Sequence, residues 1–352
     1  MLKMWYKSMF ICIPFLLVLA GCGQSSETSS NQGASNQKEL DLRISYNLPA
    51  EHATGIYFEV LAKEIAKNTA NTSIKLNPKT YPNGQLYNDQ QLPDAVSNGV
   101  VEIGQLNVGF LGGDEAESLR IADLPFLFTS SEAQWDAEDG EYSELFNQQL
   151  EKYNMKMIGY AQYGTVEFYG NKPIKLPKDL KGLKMRAFGK GSALTIQHLG
   201  ASPVSMSSQE VYQAMDHGTI DGFSTGSSSV VDRGLYEVTK YGTDMQMNYL
   251  SFQVVANMNW WSNLPEDVQN AVIEASKTAQ KASREKAKND TEHYNEQLIG
   301  HGVELYKPSA EEREKWVEAV QADYDNYLEK AGDMGKRLYE AAQKANQNHP
   351  IE

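Results

Sequence analysis

The sequence predicts an α/β protein built from two similar lobes. Its 352 residues are enough for two domains, each with its own hydrophobic core. Strand-like and helix-like segments alternate between Leu40 and Leu106, which is typical of an α/β sheet that binds ligands at its strand ends. A second observation is a repeated pattern: Ala, then Gly four residues later, then an acidic residue three further on, beginning at Ala95 and at Ala214. The repeat predicts a helix, a glycine stop and a short strand in each lobe.

Hydrophobic periodicity predicts the elements of the first lobe. Alternating side chains predict a strand over 40–46, and apolar residues at helical spacing predict a helix from about Thr54 to Asn68. A strand over 73–76 and a helix over 89–98 follow, and Gly99 is expected to end that helix in a left-handed conformation. The run over 100–106 is expected to be a buried strand.

The rest of the chain continues the same alternation. Strands are expected over 155–163 and 251–258, and a long helix is expected to begin at Leu264 and Pro265. Ser309 followed by Glu312 is a capping-box pattern, which predicts the start of a last amphipathic helix. If the two lobes face each other, residues just past their strands meet: Asn107 from the first lobe, and Ser224 and Thr225 from the second.

Arg186 is the predicted centre of a ligand site within the stretch 179–223. It stands near the end of a predicted strand, and a glycine turn at 189–191 precedes a predicted helix. A guanidinium binds a carboxylate with two parallel hydrogen bonds, and a helix N-terminus carries partial positive charge, so this combination favours an anion. The alternative is an arginine in a surface salt bridge.

Composition excludes one class of partner. The formal net charge is −14, and without the first 21 residues, which carry Lys3 and Lys7, it becomes −16. Nucleic acids need a basic face, so they are not expected as partners. A small anion is still compatible with this charge, because one buried arginine sets the local potential of a cleft.

The N-terminus has the layout of an export signal. Lys3 and Lys7 precede an apolar run from Met9 to Ala20, which is too short for a stable membrane anchor. The run ends in Leu-Ala-Gly-Cys, which resembles the lipobox of bacterial lipoproteins and implies that Cys22 carries lipid, including palmitate. The alternative is an ordinary export signal with an incidental cysteine. Residues 23–37 are polar and without periodicity, as expected of a flexible tether.

No catalytic pattern stands out in the sequence. It has no H-E-x-x-H, G-x-S-x-G or Walker motif, and the only other cysteine, Cys12, lies inside the signal. The histidines are scattered through the chain, at His52, His198, His217, His293, His301 and His349. We therefore expect no metal, no cofactor and no enzymatic activity.

Several short motifs together carry a family resemblance. Their order and spacing are similar to those of the extracytoplasmic solute-binding proteins of TRAP transporters, the DctP-like family, over nearly all of the mature chain. The motifs are Tyr81-Pro-Asn-Gly-Gln-Leu, Asp123-Leu-Pro-Phe-Leu-Phe, Asn171-Lys-Pro-Ile, Asp179-Leu-Lys-Gly-Leu-Lys-Met-Arg, Glu210-Val-Tyr, Ile220-Asp-Gly and Leu264-Pro.

The resemblance implies a two-lobed fold like that of periplasmic binding proteins, with a hinge and a long interlobe helix. The expected organisation is a lipoprotein signal peptide over 1–21, a tether over 22–39, a first lobe over 40–165 and 251–290, and a second lobe over 166–250 and 291–352. The implied role is to capture a small organic acid and deliver it to a TRAP-type membrane permease from the extracytoplasmic face of the bacterial membrane.

The resemblance also implies ligand contacts. The family's carboxylate-binding arginine falls on Arg186, and matching positions are Asn47, Asn107, Phe110, Ser208 and Thr225. Aromatic residues near the presumed cleft, among them Phe168 and Phe188, are candidates for a pocket wall. Many relatives have a further arginine where this chain has Val166, so a single carboxylate is expected on the ligand. The alternatives are a sensor that presents its closed form to a membrane receptor, and a secreted lipoprotein hydrolase.

Overall fold

The computed structural model describes residues 37–350, apart from the side chain of Asn289, as a mixed α/β protein. The predicted signal peptide, Cys22 and the predicted tether up to residue 36 lie outside the described residues. Within the described range, no helix combines the length and the apolar character needed to cross a bilayer.

The described residues form one mixed sheet of nine strands. The strands are β1 (Lys38–Ser45), β2 (Ile74–Tyr81), β3 (Ile103–Leu106), β4 (Met155–Gly170), β5 (Lys184–Ala187), β6 (Ser202–Ser205), β7 (Gly222–Thr225), β8 (Tyr241–Asn257) and β9 (Glu304–Tyr306). Their order is β2-β1-β3-β8-β4-β7-β5-β6, and β9 pairs with β8 at the side.

Helices surround this sheet. They are α1 (Ala53–Asn68), α2 (Leu92–Ser97), α3 (Ala116–Leu119), α4 (Ser131–Glu138), α5 (Glu141–Leu150), α6 (Lys190–His198), α7 (Val211–Asp216), α8 (Ser227–Asp232), α9 (Met258–Ser262), α10 (Glu266–Gly300), α11 (Ala310–Ala319), α12 (Gln321–Lys330) and α13 (Gly332–Asn348). Short 3-10 turns lie at Val108–Phe110, Arg120–Asp123, Glu151–Tyr153, Pro177–Leu180 and Leu235–Glu237.

The two lobes are visible in the pairing of the strands. In the first lobe, β1 pairs in parallel with β2 and β3. In the second lobe, β5 pairs in parallel with β6 and β7. The long antiparallel pair β4 and β8 joins the lobes, because β3 bonds to β8 and β7 bonds to β4. Helix α10 packs on α1 in the first lobe and on α8 in the second, as expected of an interlobe helix.

Local chemistry explains where several elements begin and end. The ring of His52 accepts the N–H of Thr54 at 3.0 Å and starts α1, and Ser309 and Glu312 form the predicted capping box. Gly99 has a φ of +72°, as predicted for a left-handed stop. The predicted strand over 100–106 is shorter than expected, since the N–H groups of Val100 and Val101 both donate to the carbonyl of Ala95 and finish α2.

The two joining strands are longer than the sequence predicted. Strand β4 contains register shifts at 157/159, 162/164 and 166/168, which interrupt the alternation of side chains. Nearly every residue of the second half of β4 is buried, so apolar and polar residues do not alternate there. A period-two pattern therefore indicated only part of each strand.

The C-terminal helices contact both lobes. Trp316 of α11 is fully buried in a core cluster with second-lobe residues such as Phe168, whereas Leu338 and Ala342 of α13 are buried in a cluster with α5. The predicted lobe boundaries at 166, 251 and 291 therefore stay a prediction.

Candidate functional site

Arg186 is held by the second-lobe strands on either side of β5. Its neighbours in the sheet are Val204 on β6 and Phe223 on β7. Its Nε donates to the carbonyl of Met206 at 3.2 Å, and its Nη1 donates to the carbonyl of Ser224 at 3.0 Å. Both carbonyls belong to strands or to the residue after a strand, so the guanidinium has a rigid support. The side chain is buried, with Arg186 only 2% exposed, and burial lowers its pKa while Asp89 opposes that effect.

A cavity with about 40 Å³ of free space lies next to this guanidinium. Residues from both lobes and from the two joining strands enclose it. The lining residues are Asn47, Leu48, Asp89, Gln105, Asn107, Tyr163, Val166, Arg186, Phe188, Ser208, Thr225, Ser229, Arg233, Leu250 and Phe252. The wall therefore combines a polar side with an apolar side.

Two further charged residues line the cavity. The carboxylate of Asp89 lies 3.9 Å from Nη2 of Arg186 and accepts the backbone N–H of Ser208 at 3.1 Å on the same oxygen, Oδ2. Arg233 donates from Nη2 to the backbone carbonyl of Asn47 at 2.6 Å, and burial lowers the pKa of its guanidinium. The cavity thus holds two arginines and one aspartate.

Several buried polar atoms of the residues that line the cavity have no hydrogen-bond partner in the protein. Within residues 37–350, this holds for Oδ1 of Asp89, Nε of Arg233, and both side-chain atoms of Asn47, Oδ1 and Nδ2. Asn47 is 1% exposed and Asp89 is 7% exposed. Buried polar groups without a partner are costly and therefore point to a function.

Three hydroxyl groups of the lining residues are already bonded to each other. The hydroxyl of Tyr163 lies 2.9 Å from Oγ1 of Thr225, donates to Oγ of Ser229 at 2.8 Å, and accepts the N–H of Gly226 at 2.9 Å. This cluster ties β4 to β7 and α8. Thr225 lines the cavity, and its hydroxyl bonds to Tyr163. Its predicted contact with the ligand stays a prediction.

The two lobes are in contact beside the cavity. Nδ2 of Asn107 donates to the carbonyl of Phe188 at 2.9 Å, while its Oδ1 accepts the N–H of Gly109 at 3.0 Å. The glycines Gly109 and Gly189 meet here, since a Cβ added to Gly189 would lie 2.5 Å from Cα of Gly109. Only glycine permits this approach of the two backbones.

The start of α6 faces another carboxylate instead of the cavity. A Cβ added to Gly191, in the first turn, would lie 2.4 Å from Oδ2 of Asp123. Burial raises the pKa of Asp123 to about 7, against the opposing effects of Arg120 and the Gly191 N–H. The sequence predicted that Arg186 and a helix N-terminus form the site together. In the structure, Arg186 shares the cavity with Asp89 and Arg233 instead.

Most of the predicted site residues meet at this cavity. Arg186, Asn47, Asn107, Ser208, Thr225 and Phe188 line it, as does Val166. Phe110 and Phe168 are not among its lining residues. The ring of Phe168 packs 5.8 Å from that of Trp316 in the second-lobe core, and Phe110 belongs to the turn Val108–Phe110.

Sequence reasoning missed Asp89 and Arg233. Asp89 comes shortly after the Tyr81-Pro-Asn-Gly turn, and Arg233 directly follows α8. Neither position carries a motif, and their approach to Arg186 depends on how the lobes pack. The only available signal was their place in loops near predicted strand or helix ends.

Among the residues described, no group of three or more His, Cys, Asp and Glu could hold a metal ion. His52, the buried histidine near Tyr163, bonds to Oγ of Ser228 at 2.9 Å, and burial lowers its pKa to about 3. A neutral ring in that environment caps α1 and supports the fold.

Comparison with known proteins identifies the family. Residues 44–331 match the family described as bacterial extracellular solute-binding protein, family 7. This chain belongs to that family. The family resemblance inferred from the sequence motifs is confirmed. The prediction that this solute-binding protein lies outside the cytoplasm is also confirmed, because the family is extracellular.

Three relatives illustrate the range of the family. The C4-dicarboxylate-binding periplasmic protein DctP of Vibrio cholerae is 28% identical over 335 residues, which cover 94% of this chain and 98% of that protein. A TRAP periplasmic solute-binding protein from Anaerococcus prevotii, with bound α/β-D-glucuronate, is 26% identical with a TM-score of 0.81 over 88% of this chain and 99% of its own. The sugar acid binding protein DctPAm from Advenella mimigardefordensis, in complex with galactonate, is 26% identical with a TM-score of 0.80 and the same coverage. These likenesses confirm the two-lobed α/β fold, and the relatives are binding proteins.

Proposed function

We propose that this protein captures a small organic acid between its lobes and delivers it to a TRAP-type membrane permease. The observation that carries the proposal is the buried guanidinium of Arg186, held by two backbone carbonyls beside a cavity formed by both lobes. A carboxylate in this cavity pairs with the remaining N–H groups of the guanidinium. Closure of the lobes then traps the acid, because both lobes contribute to the wall.

The proposed ligand has a single carboxylate. Two features support this: Val166 is an apolar part of the wall, and Asp89 offsets one of the two arginine charges. The relatives named above bind a C4-dicarboxylate, glucuronate and galactonate, so the family accepts several classes of acid.

The protein works without turnover of its ligand in this proposal, and it is held at the extracytoplasmic face of the membrane through lipid on Cys22. Intact mass measurement of the protein from the membrane fraction tests the anchor. The expected result is an added lipid mass that disappears in the variant Cys22→Ser. A chain without added mass would contradict the anchor and leave ligand capture unaffected.

Native mass spectrometry of the freshly purified protein tests ligand capture. The expected result is a co-purifying organic acid of matching mass that is lost on mild denaturation. Thermal unfolding with added organic acids is the second measurement, since a ligand that binds only the folded state raises the unfolding temperature. If no acid co-purifies and none raises that temperature, the proposed function is wrong.

A further inference from the structure

Residues that line the cavity together with the carboxylate anchor carry both donor and acceptor atoms without partners. Asp89 Oδ1 and Asn47 Oδ1 are acceptors, whereas Asn47 Nδ2 and Arg233 Nε are donors, and none has a partner in the described part of the chain. All belong to side chains that line the same cavity as Arg186. A ligand that satisfies this wall must both donate and accept hydrogen bonds.

A second carboxylate does not match such a wall. An ionised carboxylate only accepts hydrogen bonds, so it would satisfy Arg233 and the amide nitrogen of Asn47 but not Asp89. It would also place a negative charge beside Asp89, a buried residue at which like charges repel strongly. A methylene chain would leave all four atoms without partners.

The charge of the residues that line the cavity restricts the class of ligand further. Arg186 and Arg233 carry two positive charges and Asp89 carries one negative charge, so the charged wall sums to one positive charge. A ligand with net charge −1 neutralises it. A dicarboxylate leaves a buried negative charge, and an amino acid, whose net charge is zero, leaves the positive charge unpaired.

We infer that the ligand is a hydroxylated monocarboxylate of the sugar-acid class, with its carboxylate on Arg186 and its hydroxyls on Asp89, Asn47 and Arg233. A hydroxyl donates one hydrogen bond and accepts others, so neighbouring hydroxyls satisfy this mixed wall. Asp89 is the residue that determines specificity, since it demands a donor and opposes a second anion. The inference rests on the proposed function and deepens it.

Isothermal titration of six-carbon acids against the purified protein tests the inference. The acids are D-galactonate, D-gluconate and D-glucuronate as sugar acids, hexanoate as the unsubstituted monocarboxylate, and adipate as the dicarboxylate. The best sugar acid is expected to bind at least 100-fold more tightly than hexanoate and adipate.

The variant Asp89→Asn separates specificity from folding. It is expected to lower the affinity for the best sugar acid at least tenfold while leaving or raising the affinity for adipate, because the repulsion is removed. A merely structural role would lower all affinities together. Asp94→Asn, an exposed carboxylate on the neighbouring helix α2, is the matched control and should change none of them.

The outcomes distinguish this inference from the proposed function. If hexanoate binds as tightly as every sugar acid, or if Asp89→Asn leaves the ratio of sugar acid to adipate unchanged, the inference is overturned and capture of an organic acid still stands. If adipate binds most tightly, the single carboxylate is overturned as well. If no acid binds, both the inference and the proposed function fail.

Discussion

Asn107 of the first lobe donates a hydrogen bond of 2.9 Å from its side-chain amide to the backbone carbonyl of Phe188 in the second lobe. The same side chain accepts the N–H of Gly109 at 3.0 Å, so both of its polar atoms are engaged. A residue expected to contact the ligand therefore holds the lobes together at the edge of the cavity. We expect it to contribute to binding through closure.

Asn107→Ala is expected to weaken ligand binding about tenfold, mainly through faster dissociation. Removing the hydrogen bond and leaving the Phe188 carbonyl without that donor costs roughly 1–1.5 kcal/mol, and a factor of ten in affinity corresponds to about 1.4 kcal/mol. Stopped-flow dissociation of the ligand measures the effect. Asn263→Ala is the control, because that exposed side chain bonds only to its own segment at Asn259. A lower association rate with unchanged dissociation would contradict the role in closure.

Gly189→Ala is expected to hinder closure. The added Cβ would lie 2.5 Å from Cα of Gly109 in the opposite lobe, and backbone atoms of both lobes would have to separate. We expect ligand affinity to fall at least tenfold and the unfolding temperature to fall as well, because an alanine rarely adopts the φ of +153° found at Gly189. Calorimetric titration and thermal unfolding measure the two quantities.

Gly302→Ala is the matched control for this substitution. Its new Cβ would have no atom within 4 Å, and its φ of +87° imposes backbone strain without any contact between the lobes. Equal loss of affinity in both variants would show that the contact between Gly109 and Gly189 has no role in binding.

Arg186→Ala is expected to reduce the affinity for the carboxylate ligand at least 100-fold, on the order of 3 kcal/mol, because a desolvated charge pair is lost. Arg186→Lys should recover only part of it, since an ammonium cannot form the two-pronged contact. Arg337→Ala, which removes an exposed arginine 3.4 Å from Glu141, is the control. Full affinity in Arg186→Ala would show that the anchor is elsewhere.

Asp123 makes stability depend on pH. Burial raises its pKa from 3.8 to about 7 in the folded protein, so between about pH 4 and pH 7 the folded state binds more protons than the unfolded state. Stability from this group is therefore present at low pH and lost as pH rises through 7.

Asp123→Asn removes that dependence. The free energy of unfolding of the variant, relative to that of the unchanged protein, is expected to rise between pH 4 and pH 8. The expected rise is a few kcal/mol, on the order of 4 at most. Urea unfolding at both pH values measures this difference. Parallel curves for the two proteins would contradict a raised pKa at Asp123.

Leu338→Ala is expected to destabilise the protein by about 2–5 kcal/mol, because a fully buried side chain in the cluster shared with α5 is lost. Leu86→Ala, at a position 37% exposed, should cost much less. Chemical denaturation measures both. A similar small cost for the two variants would show that α13 is not part of the first-lobe core.

Much of the fold follows from local sequence. The spacing of apolar residues predicted β1 and α1, and Ser309 with Glu312 predicted the start of α11. Gly99 predicted the end of α2. Each of these signals depends only on neighbouring residues. The long strands β4 and β8 were indicated only in part, since bulges and burial on both faces remove the alternation.

The candidate site also has features that local sequence predicts and features that it does not. The sequence by itself determined the α/β class, the family and the position of Arg186 at the end of a strand, since strand ends and motifs are local properties. Only the tertiary structure decided that Asp89 from the first lobe and Arg233 after α8 share a cavity with that guanidinium, and that Asp123 lies at the start of α6. The physical reason is that a cavity's charge and its unpaired atoms depend on contacts between lobes far apart in sequence.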